Sequence, residues 1–466
     1  MTVDKHEVRM ERDSLGEVAV PAAALFGAQT QRAVENFPVS GRRLPRRMIR
    51  ALGLIKRTAA AVNRDSGALP APLAAAIIQA ADEVVAGLHD DQFVVDVFQT
   101  GSGTSSHMNA NEVIANRAIQ LLGGVVGSKQ PVHPNDHVNR GQSSNDVFPT
   151  AVNIAVAESV AHDLRPALEL LQLALEEKAR AWDGIVKTGR THLMDAVPIR
   201  LGQEFSGYAH MVGAGKQRIV ASQPGILALP LGGTAVGTGL GAAPGFATSV
   251  IERLASETGL ALVQAPNLFE ALATRDGLVA VSAALRSLAI SLTKIANDIR
   301  WLASGPTAGL GELRLPELQP GSSLMPGKVN PVIPEMMVMV CAEVIGHDAT
   351  VAWSGAAGAF ELNAMTPVIA SALLQSIALL ASASRLFATR CLAGMEADER
   401  HCREVAERSP SLVTALATKI GYDRAAALGR EAMKTGQTIR ALCREQQVLP
   451  DAELDRLLDL RAMTGP

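Results

Sequence analysis

Apolar residues recur at helical spacing over two long stretches in the middle of this 466-residue chain. The first stretch comprises Ile154, Ala157, Val160, Leu164, Leu168, Leu171 and Leu175. The second comprises Leu278, Val281, Leu285, Leu288, Leu292, Ile295 and Ile299. Steps of three and four residues place such side chains on one face of an α-helix, and no β-rich run of comparable length appears between residues 147 and 390. The two stretches therefore predict long helices that each bury one face.

The composition also favours helices packed on helices. Hydrophobic residues make up 48% of the chain but aromatic residues only 3%, so Ala, Leu, Val and Ile must fill the core. A single core rarely grows beyond about 250–300 residues. Because charge density rises after residue 390, we expect a mainly α protein with an N-terminal mixed domain (1–140), a central helical bundle domain (141–390) and a small C-terminal helical domain (391–466). In the first domain the patterns predict a short strand at 18–21 and helices at 47–62 and 72–88.

Charge and cysteine content exclude several classes of function. The net charge of −3 gives no case for nucleic acid or an acidic membrane surface as a partner. The four cysteines are scattered without a CxxC pair, which argues against a disulfide framework, a zinc site or an iron–sulfur cluster and favours a reducing cytoplasm. The charged N-terminus lacks the apolar region of a secretory signal. Residues 363–384 are uncharged and long enough to cross a bilayer, but serines interrupt them, so we expect a buried helix there.

The sequence GSSLMPGKVNP, residues 321–331, is a flexible loop rich in polar groups. Two hydroxyls, the Lys328 ammonium and the Asn330 amide can all meet an anion. Asn330 is predicted to cap the following helix, with Pro331 as its first residue. The positive end of that helix would then suit a carboxylate or a phosphate. The alternative is an ordinary polar loop before a buried helix.

Two further loops precede helices in the same way. Glycines 101 and 103 in FQTGSGTSSHMN (98–109) let the backbone expose its N–H groups, and the GSG lacks the ending of a Walker loop. In QSSND (142–146), Asn145 or Asp146 is predicted to be the helix cap. Each loop is equally consistent with a turn and a cap that have no ligand.

Two other polar segments are weaker candidates. His133, His137 and Asp136 could suggest a metal, but Pro134 separates the histidines and no helix holds them together, so a solvated loop is favoured and no metal is expected. The glycine-rich segment 232–239 follows no clear strand of a βαβ unit, which argues against a dinucleotide cofactor. A close crossing of backbones explains its glycines better.

Donor-rich loops without an obvious metal fit one type of chemistry. Removing a proton next to a carboxylate and expelling hydroxide needs a base, donors for the extra charge on the carboxylate, and help for the leaving oxygen. This pattern fits β-elimination through a carbanion that fixed hydrogen bonds stabilise, and no cofactor is expected.

The loop GSSLMPGKVNP resembles the signature of the fumarase/aspartase superfamily. The segments TGSGTSSHMNANEV, HPNDHVNRGQSSNDVFPT, GRTHLMDAVP and GGTAVGTGL also line up, in order, with class II fumarases, so the resemblance covers essentially the whole chain. It implies a three-domain fumarase/aspartase-like fold that assembles as a homotetramer around a central long-helix bundle. Each active site would draw residues from three subunits.

The resemblance also implies the roles of individual residues. By this resemblance Ser322 would be the base, and Lys328 and nearby N–H dipoles would favour its alkoxide. Thr191 and His192 would bind the substrate and the reacting water, with His192 oriented by Glu335. Further positions match the substrate-binding residues: Ser102, Gly103, Thr104, Ser143, Ser144, Asn145, Ser323, Lys328, Val329 and Asn330. A second dicarboxylate site is implied at His133, Pro134, Asn135 and Asp136.

Two segments discriminate within the superfamily. Residues 100–105 and 142–146 resemble fumarases more than aspartases, whereas 330–335 is shared by both. His107 stands where the family usually has Asn and can perturb the carboxylate pocket. The resemblance thus implies the activity of a class II fumarase, the interconversion of fumarate and L-malate in the tricarboxylic acid cycle, and we expect it in the cytoplasm. The alternatives are an aspartate ammonia-lyase, or a non-catalytic scaffold of the kind found in the lens, against which the intact set Ser322, Lys328, Asn330 and His192 argues.

Overall fold

The computed structural model describes residues 7–465, most of which are helical. The helices, in chain order, are α1 (Ala28–Asn36), α2 (Arg46–Asp65), α3 (Ala71–Ala86), α4 (Thr104–Leu121), α5 (Ser144–Ser159), α6 (Arg165–Ala181), α7 (Leu201–Ser222), α8 (Pro224–Leu227), α9 (Phe246–Thr258), α10 (Leu268–Ala273), α11 (Asp276–Leu302), α12 (Val332–Gly355), α13 (Thr366–Leu386), α14 (Glu399–Arg408), α15 (Val413–Ile420), α16 (Tyr422–Thr435), α17 (Ile439–Glu445) and α18 (Asp451–Leu457).

The strands are short and pair only in twos within the described part of the chain. They are β1 (Val8–Asp13), β2 (Gly16–Pro21), β3 (Val186–Thr191), β4 (Met194–Arg200), β5 (Ala228–Leu229), β6 (Val263–Gln264), β7 (Leu313–Arg314), β8 (Gly358–Ala359), β9 (Leu362–Asn363) and β10 (Glu396–Ala397). Four pairs are antiparallel (β1 with β2, β3 with β4, β7 with β10, and β8 with β9), and β5 with β6 is parallel.

The mainly α fold predicted from the sequence is confirmed. The strand predicted at 18–21 lies in β2, and the helices predicted at 47–62 and 72–88 are α2 and α3. The first apolar stretch is divided between α5 and α6, which a π-helical turn at Val160–Leu164 joins. The second stretch is a single helix, α11.

Helix α11 shows why the apolar spacing fixes this fold. All seven predicted side chains, from Leu278 to Ile299, are at most 2% exposed. Burying one Leu, Ile or Val stabilises the folded chain by about 1.5–3 kcal/mol. Asp276 lies in the first turn and Arg300 in the last, which complements the helix dipole.

Backbone contacts divide the described chain into two compact units. The first comprises residues 7–166, 217–287 and 342–380, and the second comprises 167–216, 288–341 and 381–465. In the second unit, the C-terminal helices have a hydrophobic cluster of their own around Leu412, Leu416, Leu428 and Leu454. The division into three domains stays a prediction.

Within residues 7–465, three helices are long and apolar enough to cross a membrane, judged by length and composition alone: α11, α12 and Thr366–Leu392, which is α13 with its π-helical extension. The buried helix predicted at 363–384 is α13, although it begins only at Thr366. Helix α12 differs because much of its apolar surface is open in a single chain. Met339 and Trp353 on it are 66% and 71% exposed, and such a surface usually marks a contact with another molecule.

Candidate active site

The N-termini of α4 and α5 meet in the first unit. Thr104, the first residue of α4, has its Oγ1 2.8 Å from Ser102 Oγ and 2.7 Å from Ser144 Oγ, and Ser144 is the first residue of α5. The first N–H groups of a helix lack partners inside it, and the helix dipole adds positive potential there. Three hydroxyls and two positive helix ends thus converge, which suits a carboxylate.

Two glycines allow this close approach. Gly103, the cap of α4, has φ +78°, and a Cβ there would lie 2.3 Å from the Phe148 ring. At Gly101, an added Cβ would lie 1.7 Å from the Ala364 carbonyl oxygen. Any larger residue at either position would move the turn that carries Ser102.

The start of α5 differs from the sequence prediction. The cap is Ser143, not Asn145 or Asp146: Ser143 Oγ accepts the Asn145 N–H, and the Asp146 carboxylate accepts the Ser143 N–H at 3.0 Å in a capping box. The cap prediction was wrong because the helix begins two or three residues earlier. Asn145 is thereby free to bond elsewhere, and its Nδ2 donates to the Ala235 carbonyl at 2.8 Å.

The glycine-rich segment 232–239 is hydrogen-bonded to the first turn of α5. Asp146, which is buried, accepts the Gly232 and Thr234 N–H groups at 3.0 Å each through Oδ2. Thr234 has φ +53°, a conformation that is strained for a β-branched residue. The segment therefore helps to fix Asn145 and Asp146.

The predicted second dicarboxylate site is one tight turn. A π-helical segment, Pro134–Val138, follows His133, whose Nδ1 accepts the Asn135 and Asp136 N–H groups at 3.2 Å each. The ring proton of neutral His133 therefore sits on Nε2. The side chain of Asp136 is 74% exposed.

In the second unit, Thr191 and His192 lie at the tip of the β3–β4 hairpin. Thr191 pairs with Met194, so His192 and Leu193 form a two-residue loop with φ +54° and +60°. Such loops favour Gly, Asn or Asp, because positive φ costs other residues about 1–2 kcal/mol. Strain of this kind persists only where the surrounding structure holds it, and it is common at functional sites.

Buried ion pairs hold the base of this hairpin. Arg190 donates to both oxygens of Glu312 at 2.6 and 3.1 Å, and Lys187 Nζ lies 3.3 Å from Glu312 and 3.2 Å from Glu204. Glu312 is fully buried. The charges thus anchor the strand that ends at Thr191.

The signature loop folds back on itself. The Gly321 N–H donates to the Lys328 carbonyl at 2.8 Å, and Asn330 Nδ2 donates to the Gly321 carbonyl at 2.6 Å. The Lys328 ammonium donates to Asn330 Oδ1 at 2.7 Å. The hydroxyl of Ser322 accepts the Leu324 and Met325 N–H groups at 3.1 and 2.8 Å. Two backbone dipoles therefore already point at the oxygen that would carry the charge of an alkoxide.

The predicted start of the next helix was also wrong. Helix α12 begins at Val332, so Pro331 occupies the cap position and Asn330 lies outside. The Asn330 side chain closes the loop instead of capping the helix. Glu335 is in the first turn of α12, and within residues 7–465 of one chain neither its side chain nor that of His192 forms a hydrogen bond or ion pair.

The structure thus places the predicted residues in local groups. The first group contains Ser102, Gly103 and Thr104 beside Ser143, Ser144 and Asn145. The second consists of Thr191 and His192 at the hairpin tip. The third consists of Ser322, Lys328 and Asn330 in one loop. Ser323 and Val329 lie in the same loop and are exposed in a single chain. Among the described residues, no group of three or more His, Cys, Asp or Glu side chains is placed to hold a metal.

Sequence reasoning missed the buried charges Lys56 and Glu312 behind these groups, and it considered Asp146 only as a helix cap. One signal was visible for Lys56. It stands four residues after Leu52 in the apolar stripe of α2, so helical spacing alone puts a lysine in the core.

Comparison with known proteins gives a consistent result over nearly the whole chain. Residues 16–346 match the family described as "Lyase", and residues 412–465 match "Fumarase C C-terminus". Over 465 residues the chain is 56% identical to "Fumarate hydratase class II" of Mycobacterium tuberculosis, covering 99% of this chain and 97% of that protein.

Two solved structures have the same fold. The recombinant class II fumarase from Schistosoma mansoni gives a TM-score of 0.96 at 38% identity, and covers 99% of this chain and 100% of that one. The fumarate lyase:delta crystallin from Brucella melitensis bound to cobalt gives a TM-score of 0.95 at 46% identity, with the same coverage.

Proposed function

The chain belongs to the lyase family and, within it, to the class II fumarate hydratases, and from this premise we propose how its residues interconvert fumarate and L-malate. It is a carbon–oxygen lyase that adds water to fumarate and removes it from L-malate, a step of the tricarboxylic acid cycle. The observation that carries the proposed mechanism is the Ser322 hydroxyl with two backbone N–H groups directed at it.

Ser322 acts as the base. It removes the C3 proton of L-malate, and the electron pair of that C–H bond moves into the adjacent carboxylate. A free serine is far too weak an acid for this task. The Leu324 and Met325 N–H groups stabilise its alkoxide, as donors do in an oxyanion hole.

The carboxylates bind to the donor groups. The hydroxyls of Ser102, Thr104 and Ser144, with the N-termini of α4 and α5, hold negative charge at one end of the substrate. Lys328 and Asn330 contribute an ammonium and an amide. The electron pair then returns from the carboxylate to form the C2–C3 double bond as the C2–O bond breaks, and His192 gives a proton to the departing oxygen, which leaves as water.

The active site is composite in this proposal, and the chain forms a homotetramer in the cytoplasm. The open apolar face of α12 supports the assembly, because another copy of the same helix is a matching cover. Among the described residues of one chain, the side chains of His192 and Glu335 have no hydrogen-bond or ion-pair partner, which supports a contact between different chains. The long apolar helices then pack on one another rather than cross a membrane.

The turn at His133–Asp136 is a second dicarboxylate site in this proposal. Its support is local: the Nδ1 atom of His133 is engaged with the backbone, which leaves the Nε2 proton to meet a carboxylate.

One assay tests the function. Purified protein treated exhaustively with a chelator is mixed with L-malate, and fumarate is followed by its absorbance. We expect full activity, since every step above uses side chains and backbone groups. Loss of activity that only added iron restores would overturn the metal-free mechanism.

A second assay tests selectivity. With L-aspartate in place of L-malate, we expect almost no ammonia, because residues 100–105 and 142–146 match a pocket for hydroxyl rather than ammonium. Ammonia release at a rate rivalling malate turnover would reassign the chain to the aspartate ammonia-lyases. A chain inactive on both substrates would be a scaffold.

A further inference from the structure

A lysine lies buried behind both carboxylate-binding turns. Lys56, on α2, is 0% exposed. Its Nζ lies 2.7 Å from His107 Nε2, 3.0 Å from Asn139 Oδ1 and 2.9 Å from Gln142 Oε1. An ammonium has three hydrogens and these neighbours offer three acceptors.

Hydrogen bonds fix which atoms of the two amides face the lysine. Asn139 Nδ2 donates to the Gln142 carbonyl at 3.1 Å, and Gln142 Nε2 donates to the Val138 carbonyl at 3.2 Å. Both amide oxygens therefore point at Nζ. His107 completes the set as a neutral ring with its lone pair on Nε2 and its proton on Nδ1, a tautomer assigned from this network.

A buried carboxylate balances the charge. Burial lowers the pKa of Lys56, and the negative charge of Asp146 opposes that effect. Burial likewise raises the pKa of Asp146, while N–H groups of Ser143, Thr234 and Gly232 and the charge of Lys56 oppose the rise. With all three hydrogens bonded and a counter-charge nearby, the ammonium is the form this site accommodates.

The three acceptors belong to the segments that carry substrate-binding residues. His107 lies three residues after Thr104, in the first turns of α4, and Gln142 immediately precedes Ser143. Asn139 directly follows the turn 134–138. One ammonium on α2 therefore joins the starts of two helices that are otherwise separated by about forty residues of chain.

We propose that Lys56 is a positioning residue for substrate binding, which holds the turns 102–104 and 143–145 at the spacing that a carboxylate needs. It acts through His107 and Gln142 and never touches substrate, because no part of it reaches solvent. The inference rests on the proposed function, since it assigns a purpose to a group behind that site.

The test compares kinetic constants of the variant Lys56→Met with those of the full-length wild-type enzyme. Methionine keeps the apolar stem and removes the ammonium. We expect KM for L-malate and for fumarate to rise about tenfold or more with kcat changed by less than about threefold, the signature of lost binding rather than lost chemistry. As a control for lost core packing, Ile55→Val on the same helix should lower the melting temperature and leave KM unchanged.

Two variants of His107 test its contact with Lys56. They also test the proposal if Lys56→Met does not fold. Glutamine places its side-chain oxygen near the position of Nε2, so His107→Gln should retain a near-normal KM. His107→Leu removes the acceptor and should raise KM as Lys56→Met does. The proposal is overturned if folded Lys56→Met or His107→Leu binds substrate normally, or if His107→Gln is as defective as His107→Leu.

Failure of the proposed function can be distinguished from failure of the positioning role of Lys56. A wild-type enzyme that does not turn over L-malate contradicts the function, and calorimetric titration of the same variants with L-malate then tests Lys56 separately. Weaker binding in Lys56→Met and His107→Leu but not His107→Gln would support the positioning role. Equal affinity in all of them would refute it.

Discussion

The reactivity of the Ser322 hydroxyl depends on the hydrogen bonds that its oxygen accepts. Its oxygen already accepts two backbone N–H groups, so the loop is preorganised for negative charge on that atom. Without side-chain oxygen at position 322 the loop keeps its other closing bonds, between Gly321, Lys328 and Asn330. Chemistry and folding are therefore separable at this residue.

We expect Ser322→Ala to lower kcat about 10²–10⁴-fold, the usual contribution of a general base, with an unchanged circular dichroism spectrum. Thr418→Ala, which removes an exposed hydroxyl in α15, is the control and should retain wild-type kcat. A Ser322→Ala enzyme with near-normal kcat would show that another group removes the proton.

His107 makes the stability of the folded chain depend on pH in acid. Burial, and then the charge of Lys56, hold the pKa of His107 well below its usual value, so the folded chain keeps this ring neutral. The unfolded chain takes up the proton below about pH 6.5. Stability from this residue is therefore complete above that pH and is lost as pH falls toward the folded-state pKa, at about 1.4 kcal/mol per pH unit.

The variant His107→Gln should lack this dependence. We expect the difference in unfolding free energy between wild type and variant to be flat above about pH 6.5 and to shrink in acid. Denaturant titrations at a series of pH values measure it. Asp146 also titrates but is present in both proteins, so the difference cancels its effect. A constant difference down to pH 5 would mean that His107 is protonated in the folded chain.

At the scale of elements, the β3–β4 hairpin depends on a charge at its base. Glu312 is fully buried between Arg190 and Lys187. Glu312→Gln keeps the shape but leaves two cations without full compensation, and breaking a buried pair in this way costs about 3–5 kcal/mol. We expect both stability and kcat to fall, because the strained tip at His192 loses its anchor.

Arg314 in β7, two residues after Glu312, supplies the control for that change. Arg314 is largely exposed and pairs with Asp398, so Arg314→Gln should cost at most about 1 kcal/mol and leave kcat unchanged. Melting temperatures and kcat of the two variants give the comparison. Equal changes of melting temperature and kcat in the two variants would show that Glu312 does not anchor the hairpin.

Elements could be predicted from the sequence more reliably than their ends. The apolar spacing of α2, α3 and α11 is a property of each segment itself, and it predicted those helices. The first residues of α5 and α12 depend on partners distant in sequence. Asn330 closes the loop at Gly321, nine residues back, and Ser143 shares Asp146 with the segment near Gly232.

The same limit applies to the candidate site. Residues in recognisable motifs, such as Ser322 and His192, could be proposed from the sequence because the motif itself carries the signal. Lys56 and Glu312 serve through contacts with residues 51 to 125 positions away. No local pattern encodes a partner at that distance, so only the folded chain reveals them.

For the whole molecule, the proposed composite site makes a quantitative prediction. Chains of Ser322→Ala and of His192→Ala are each expected to be nearly inactive. Suppose that a site takes Ser322 and His192 from different chains and that equal amounts of the two variants reassemble at random. The chance that the first chain has a native Ser322 is one half, and the chance that the second has a native His192 is also one half. About a quarter of sites should therefore recover.

The experiment is to denature the two inactive variants together, refold them and assay fumarate formation from L-malate. Each variant refolded alone is the control for residual activity. Mixing the folded variants without denaturation should restore nothing in the same time. A co-refolded sample as inactive as its parents would place both residues of a site in one chain.

The open face of α12 has a consequence for the lifetime of the protein in a cell. Under the proposed assembly, a newly made chain that has met no other copy displays Met339 and Trp353 to the surroundings. Chaperones bind such apolar surface, and it leads to aggregation or proteolysis. Copies made in excess of their partners would be cleared. The steady amount of enzyme would then follow the rate at which chains meet, and lowering synthesis by half would lower the enzyme level by more than half.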